Sequence, residues 1–286
     1  MAMPTPVNKI VVIGAGTMGQ GIAQVCAMWG CHTTLYDIKE PMLEKAKAGI
    51  ERNLDKGIEK GKVSQEKKEE TLKKLSFTAD FSELVGDIII EAIVENLAVK
   101  QELFSKLEAQ NTDKAIFATN TSSIPITRIG AGLAHPERLV GLHFFNPAHI
   151  MKLVEIISGA ATSPEVAQQM YDFAKALGKQ PVMAEDAPGF IVNRVARHFY
   201  VEGLKVLEEG VADVATIDRL VESSGFRMGP FRLMDLIGVD TNFSVTTSMF
   251  NAFHQDAKFR PSRIQEQKVD AGHHGRKTGK GFYDYQ

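Results

Sequence analysis

Short apolar runs rich in β-branched residues recur along the first part of the chain, at residues 10–13, 33–36, 87–90, 115–119, 139–144 and 153–157. Runs this short, bounded by polar and turn-forming residues, predict strands. Helical periodicity separates several of them. Met18, Ile22, Val25, Cys26 and Trp29 share one helical face, which Gly30 is placed to end as a C′ glycine. Strand alternating with helix predicts a parallel sheet covered on both faces. Between Glu40 and Leu75 the alternation stops. There Leu43, Ala46, Ile50, Leu54 and Ile58 mark a long helix, and a second, charged helix follows Gly61. Residues 40–75 therefore read as a helical insertion.

The pattern changes again after Gln180. Asp186-Ala187-Pro188-Gly189 is a turn with proline placed to open a helix, and nearly everything downstream has helical spacing, at 191–209, 215–223, 230–253 and 261–271. Two domains are expected, an α/β domain over 1–184 and an all-α domain over 185–286. A helical domain of that size has much apolar surface for its volume, which predicts pairing with a second copy, a homodimer.

Composition adds exclusions. The 286 residues carry 33 basic and 35 acidic side chains, a formal charge of -2, so nothing in the balance calls for nucleic acid or an anionic membrane as partner. Cys26 and Cys31 stand without the clustered Cys and His of a metal site and read as buried thiols, so no metal is expected. The stretch before Ile10 lacks an export-signal pattern. The longest apolar windows, 87–94 and 151–157, are interrupted by charges and fall far short of the roughly 20 residues of a spanning helix. A soluble, cytoplasmic protein is expected.

Gly14-Ala15-Gly16-Thr17-Met18-Gly19 follows the first strand and opens the first helix, and Asp37 ends the next strand. Strand, glycine turn, helix and distal acid together form the dinucleotide-binding fingerprint, which predicts a Rossmann-type domain. The glycines allow a tight turn and close approach to a pyrophosphate, whose charge suits the N–H groups at Thr17 and Met18. An acid at Asp37 accepts from ribose hydroxyls and repels a 2′-phosphate, which favours NAD over NADP as cofactor. Glu95, Lys100 and Asn120 follow strand positions and face the same crevice, although singly each also reads as ordinary loop polarity.

Two polar clusters lie where strands end, Asn120-Thr121-Ser122-Ser123 and His143-Phe144-Phe145-Asn146-Pro147. Within Lys152-Leu153-Val154-Glu155 an acid sits in an apolar strand-like run, and a buried carboxylate needs a partner. His143 is the candidate. Imidazole suits removal of a hydroxyl proton near neutral pH, and a carboxylate on its other nitrogen fixes the tautomer. A lone histidine beside aromatics also reads as a satisfied core residue. Asn193 lies in the first turns of the domain-joining helix and faces the cleft if Ile191 and Val195 face the core.

These motifs, together with Pro188-Gly189-Phe190-Ile191-Val192-Asn193-Arg194 and Met228-Gly229-Pro230-Phe231, resemble the L-3-hydroxyacyl-CoA dehydrogenases over nearly the whole chain. The resemblance implies NAD as cofactor, an acyl-CoA substrate, a helical dimerisation domain and a catalytic set of His143, Glu155, Ser122 and Asn193. It further implies cofactor contacts at Glu95 and Asn146. Lys277, which opens the closing Lys-Thr-Gly-Lys-Gly-Phe-Tyr motif, would approach the cofactor. The insertion would hold the CoA nucleotide, with Lys60 and Asn53 as candidates. The expected pair is 3-hydroxybutyryl-CoA and acetoacetyl-CoA, from a monofunctional form without a hydratase portion. A dicarboxylic 3-hydroxyadipyl-CoA would need a partner such as Arg227 or Arg232, which otherwise read as solvated surface. A sugar-acid dehydrogenase or a non-catalytic NAD-binding protein would share the fold but need not keep the CoA insertion or the catalytic set.

Overall fold

In the computed structural model, which describes residues 8–285, the apolar runs become strands of one eight-stranded sheet. The first seven residues, part of the stretch read above for an export signal, lie outside the described residues. The strands are β1 (Lys9–Ile13), β2 (His32–Tyr36), β3 (Leu75–Thr78), β4 (Ile88–Glu91), β5 (Ile116–Thr119), β6 (Leu139–Phe144), β7 (Leu153–Ser158) and β8 (Gln180–Glu185). Their spatial order is β3-β2-β1-β4-β5-β6-β7-β8.

The expected all-parallel sheet needs correction. β3 to β6 run parallel, but β7 is antiparallel to β6, and β8 follows β7. The connection from β6 to β7 is short and has no helix, and a parallel return needs a long crossover. Two strands, β3 and β8, were absent from the sequence reading. Both are edge strands, partly exposed, and so lack the continuous apolar run that marks buried strands such as β1 and β4. β8 even carries Pro181, which an edge tolerates.

Helix α1 (Thr17–Met28) packs Ile22, Ala23 and Cys26 into the core, and Gly30 follows it at φ 103°, in the C′ role expected. Cys26 and Cys31 are buried free thiols, and burial pushes the Cys26 thiol well above its ordinary range. The insertion forms α2 (Glu40–Glu59) and α3 (Gln65–Lys73). α2 buries Leu43, Ala46, Ile50 and Leu54, whereas α3 buries only Thr71 and starts from a Ser64 side-chain cap. α4 (Leu97–Gln110), α5 (Ile126–Gly130) and α6 (Pro164–Ala176) complete the first unit.

This unit ends at Ala187, and the second begins at Pro188. The second unit is helical: α7 (Val192–Glu208), α8 (Val214–Ser223), α9 (Pro230–Ile237), α10 (Val239–Ala252) and α11 (Arg263–Asp270). The expected single stretch 230–253 breaks at Gly238, whose φ of 109° ends one helix and starts the next. Two buried acids tie the closing segment down. Asp218 accepts from Phe231 N, Arg232 N and Tyr283 Oη, and Asp235 from Phe282 N, Tyr283 N and Tyr285 Oη. Gly281 is required there, because a Cβ would lie 2.1 Å from Asp235 Oδ1. Among the described residues no helix is long and apolar enough to cross a membrane.

Candidate active site

The parallel strands change direction of progression between β1 and β4, the switch point at which such sheets open a crevice. Gly14 leaves β1 at φ 101°, its N–H donating to Tyr36 O at 2.8 Å. Side chains are excluded at two of the three glycines. A Cβ on Gly14 would lie 2.6 Å from Ala92 O, and one on Gly19 would lie 1.7 Å from Gly14 O. At Gly16 the same Cβ would meet nothing within 4 Å. Gly16 caps α1 with extended backbone and without a side-chain cap, and the first turn holds no acid. The N–H groups that a helix leaves without intrahelical acceptors are thus met at this end by no capping side chain and by no acid within the first turn of α1.

Asp37, after β2, accepts from Ala15 N at 2.9 Å and from Lys39 N at 3.0 Å, so its carboxylate is held against the glycine turn. An open cradle of N–H groups beside a fixed acid fits the pyrophosphate and ribose of NAD.

Behind this crevice lies a buried ion pair that the sequence reading missed. Glu91, the last residue of β4 and 0% exposed, accepts from Lys100 Nζ (2.6 Å), Thr119 Oγ1 (2.6 Å) and Ile93 N (2.7 Å). Lys100, 1% exposed, also lies 3.2 Å from Glu95 Oε2. Lys100 is therefore the counter-ion of two carboxylates. Glu95 Oε1 in turn accepts from the Thr121 hydroxyl, from Ser122 N at 3.0 Å and from Ser123 N at 3.2 Å. Burial alone would raise the Glu95 carboxyl, but Lys100, the Thr121 hydroxyl and Ser122 N–H outweigh it and hold it below its ordinary value. The loop carrying Ser122 is thus wrapped around Glu95.

The next strand end carries the histidine. Asn120 Oδ1 accepts from Phe144 N at 2.8 Å and ties the end of β5 to the end of β6. Because β7 is antiparallel to β6, His143 and Glu155 are direct cross-strand partners. Such partners share a face of the sheet. Their side chains meet at 2.7 Å, Nδ1 to Oε2, with both residues buried. An ionised carboxylate can only accept, so Nδ1 carries the proton and the ring's basic nitrogen is Nε2. Phe145 packs against the imidazole at 4.6 Å between ring centres.

Comparisons with known proteins give the family. The family models "3-hydroxyacyl-CoA dehydrogenase, NAD binding domain" and "3-hydroxyacyl-CoA dehydrogenase, C-terminal domain" match residues 9–187 and 189–285. The chain belongs to the 3-hydroxyacyl-CoA dehydrogenase family. It is 48% identical over 282 residues to the 3-hydroxyadipyl-CoA dehydrogenase of Escherichia coli, covering 98% of this chain but only 59% of that longer protein. It is 41% identical to the mitochondrial hydroxyacyl-coenzyme A dehydrogenase of Sus scrofa, covering 98% of this chain and 92% of the relative. The crystal structure of (S)-3-hydroxybutyryl-CoA dehydrogenase from Ralstonia eutropha superposes with a TM-score of 0.93 at 36% identity, covering 98% of this chain and 100% of that one.

The chain places the other expected site residues unevenly. Thr17 and Met18 open α1 at the glycine turn, and Asn146 is exposed just past β6. Lys60 is exposed at the C-terminal end of α2, with Lys56 and Lys62 exposed nearby. Asn53 differs, since its amide donates to Gln24 Oε1 at 3.2 Å and bridges α2 to α1. In the second unit Lys277 is paired with Asp240, its Nζ 2.6 and 2.7 Å from the two carboxylate oxygens. Arg232 sits over the Tyr283 ring and 3.5 Å from Glu222, so it is engaged within its own unit, while Arg227 is exposed.

Asn193 lies in the first turn of α7, where Ile191 and Val195 do not face the core. Ile191 and Val195 are 42% and 70% exposed, and α7 buries Arg197, Tyr200, Val201 and Leu204 instead. Apolar character at residues 191 and 195 did not mark the core face, because the buried stripe begins a turn later.

Proposed function

We propose that this chain interconverts (S)-3-hydroxyacyl-CoA and 3-oxoacyl-CoA with NAD, and that 3-hydroxybutyryl-CoA and acetoacetyl-CoA are its substrate pair. The observation that carries this reading is the buried His143–Glu155 pair at the end of β6, on the sheet whose glycine turn fits the dinucleotide. In the oxidative direction His143 Nε2 takes the proton of the 3-hydroxyl, and Glu155 holds the ring and stabilises its cationic form. Bound NAD supplies the hydride acceptor. Ser122, on the loop held by Glu95, hydrogen-bonds the substrate oxygen. Asn193 is assigned the same task from the family resemblance, as are cofactor contacts at Glu95, Asn146 and Lys277, and Asn120 is assigned one from its place after a strand end. Lys100, 1% exposed and held between Glu91 and Glu95, is withdrawn as a cofactor contact.

The test follows NADH absorbance. Acetoacetyl-CoA should oxidise NADH rapidly, whereas free acetoacetate, or NADPH in place of NADH, should support little turnover. Equal rates with NADPH would sink the role given to Asp37, and silence with every 3-oxoacyl-CoA would sink the reading itself. A second substrate, 3-hydroxyadipyl-CoA, is favoured by the name of the Escherichia coli relative. Arg232 is already engaged with acids of its own unit, which leaves Arg227 to meet a distal carboxylate. We therefore rank the four-carbon substrate first, and a higher kcat/KM on the six-carbon dicarboxylic thioester would reverse that order.

For the CoA moiety we assign Lys60, an exposed cation at the end of α2. Replacing Lys60 by Ala should raise the KM for acetoacetyl-CoA about threefold to tenfold at low salt, with the effect fading as salt screens the pair. An unchanged KM at low salt would refute the assignment. Asn53 keeps only a secondary place there, its amide being committed to Gln24. The helical unit exposes Val195, Val211, Leu220 and Phe226, which supports the expected homodimer. A monomeric mass in light scattering would contradict it.

A further inference from the structure

We infer that Glu91 is a positioning residue that fixes the Ser122 loop through two separate arms. The inference rests on the reading in which Ser122 meets the substrate oxygen.

Glu91 ends β4 in register with Ile13 of β1 and Thr119 of β5, so it stands between the strand leading to the glycine turn and the strand leading to the serine loop. A fully buried carboxylate at this place costs stability unless it is paired and hydrogen-bonded. The first arm is electrostatic. Lys100 carries one charge and lies between two carboxylates, 2.6 Å from Glu91 Oε1 and 3.2 Å from Glu95 Oε2. With Glu91 carrying most of the neutralisation, the opposite oxygen of Glu95 stays turned outward, where it receives Ser122 N and Ser123 N. Neutralising Glu91 leaves Glu95 as the sole anion beside a buried ammonium, which draws Glu95 inward and away from those amides.

The second arm runs through a hydroxyl. Thr119 Oγ1 donates to Glu91 Oε2 at 2.6 Å, which turns its lone pairs toward Thr121 N, 3.3 Å away. A glutamine at residue 91 can present its own amide to Thr119 and compete with Thr121 N for that oxygen. Both arms converge on three consecutive residues, 121–123.

The test combines hydrogen exchange and kinetics on the full-length chain carrying Glu91→Gln. Exchange at the Ser122 and Ser123 amides should quicken about tenfold while β1 amides keep their protection, and kcat with acetoacetyl-CoA should fall about tenfold with KM within about twofold. Should Glu91→Gln fail to fold, Thr119→Val cuts the second arm alone, and exchange at 121–123 should then quicken about threefold. Unchanged protection and kcat, or a loss of protection shared equally by β1, would overturn the inference, since a merely structural role loosens the sheet as a whole. If the wild-type chain does not turn over acetoacetyl-CoA, the functional reading fails and the exchange data alone decide the role of Glu91.

Discussion

Replacing His143 by Gln should lower kcat by about 10²- to 10⁴-fold while leaving the Kd for NADH within about twofold. Glutamine is the informative replacement. Its amide can still donate to Glu155, so the buried carboxylate keeps a partner and the fold keeps its stability, whereas alanine would leave a buried charge unpaired. What glutamine lacks is a basic nitrogen to take the hydroxyl proton. A kcat within tenfold of wild type would remove His143 from the chemistry. A parallel loss of NADH binding would instead report damage to the sheet, because no part of the His143–Glu155 pair belongs to the glycine turn.

The second large effect is expected at Gly19. An alanine Cβ there would fall 1.7 Å from Gly14 O, a backbone atom that cannot rotate away, so the turn itself must shift. Overpacking of this kind costs about 3 kcal/mol, and a cost borne by the NAD-binding turn corresponds to roughly a 10²-fold weaker Kd for NADH. Gly16→Ala is the contrast, since its Cβ meets nothing within the protein and can only obstruct what approaches from outside. Circular dichroism of Gly19→Ala should retain its helical signal. NADH affinity within threefold of wild type would show that the turn does not carry the cofactor.

Much of this architecture is legible in the sequence because the buried strands are unbroken apolar runs. Those at 10–13 and 139–144 fall within a residue of β1 and β6. The edge strands β3 and β8 escape, since an edge is half solvated and its sequence is correspondingly mixed. The reversed direction of β7 escapes as well, because neighbouring strands with a short connection look alike in either sense until pairing is known. That reversal nevertheless delivers the pair that the sequence anticipated on other grounds, a carboxylate in an apolar run seeking a partner.

Ile88-Ile89-Ile90-Glu91 carries the same signal in the sequence, an acid closing an apolar strand. It was the available signal that went unused. Asn193 shows the opposite failure. Its place in a motif is visible, but Ile191 and Val195, taken as the guide to its direction, are exposed rather than on the core face. Amphipathic direction is weakest at a helix end, where the first turn need not lie over the core. Lys277 and Arg232 carry exposed positive charge in the sequence, yet fold onto Asp240 and Glu222, partners 37 and 10 residues away. Such pairings belong to tertiary structure.

The measurement that tests the central claim most directly is reduction of NAD by the two enantiomers of 3-hydroxybutyryl-CoA, followed at 340 nm with wild-type protein and His143→Gln side by side. The account predicts turnover of the S enantiomer by the wild-type chain, little of the R enantiomer, and loss of the S activity in the variant by about 10²-fold or more. Equal use of both enantiomers, or S turnover undiminished without His143, would contradict it.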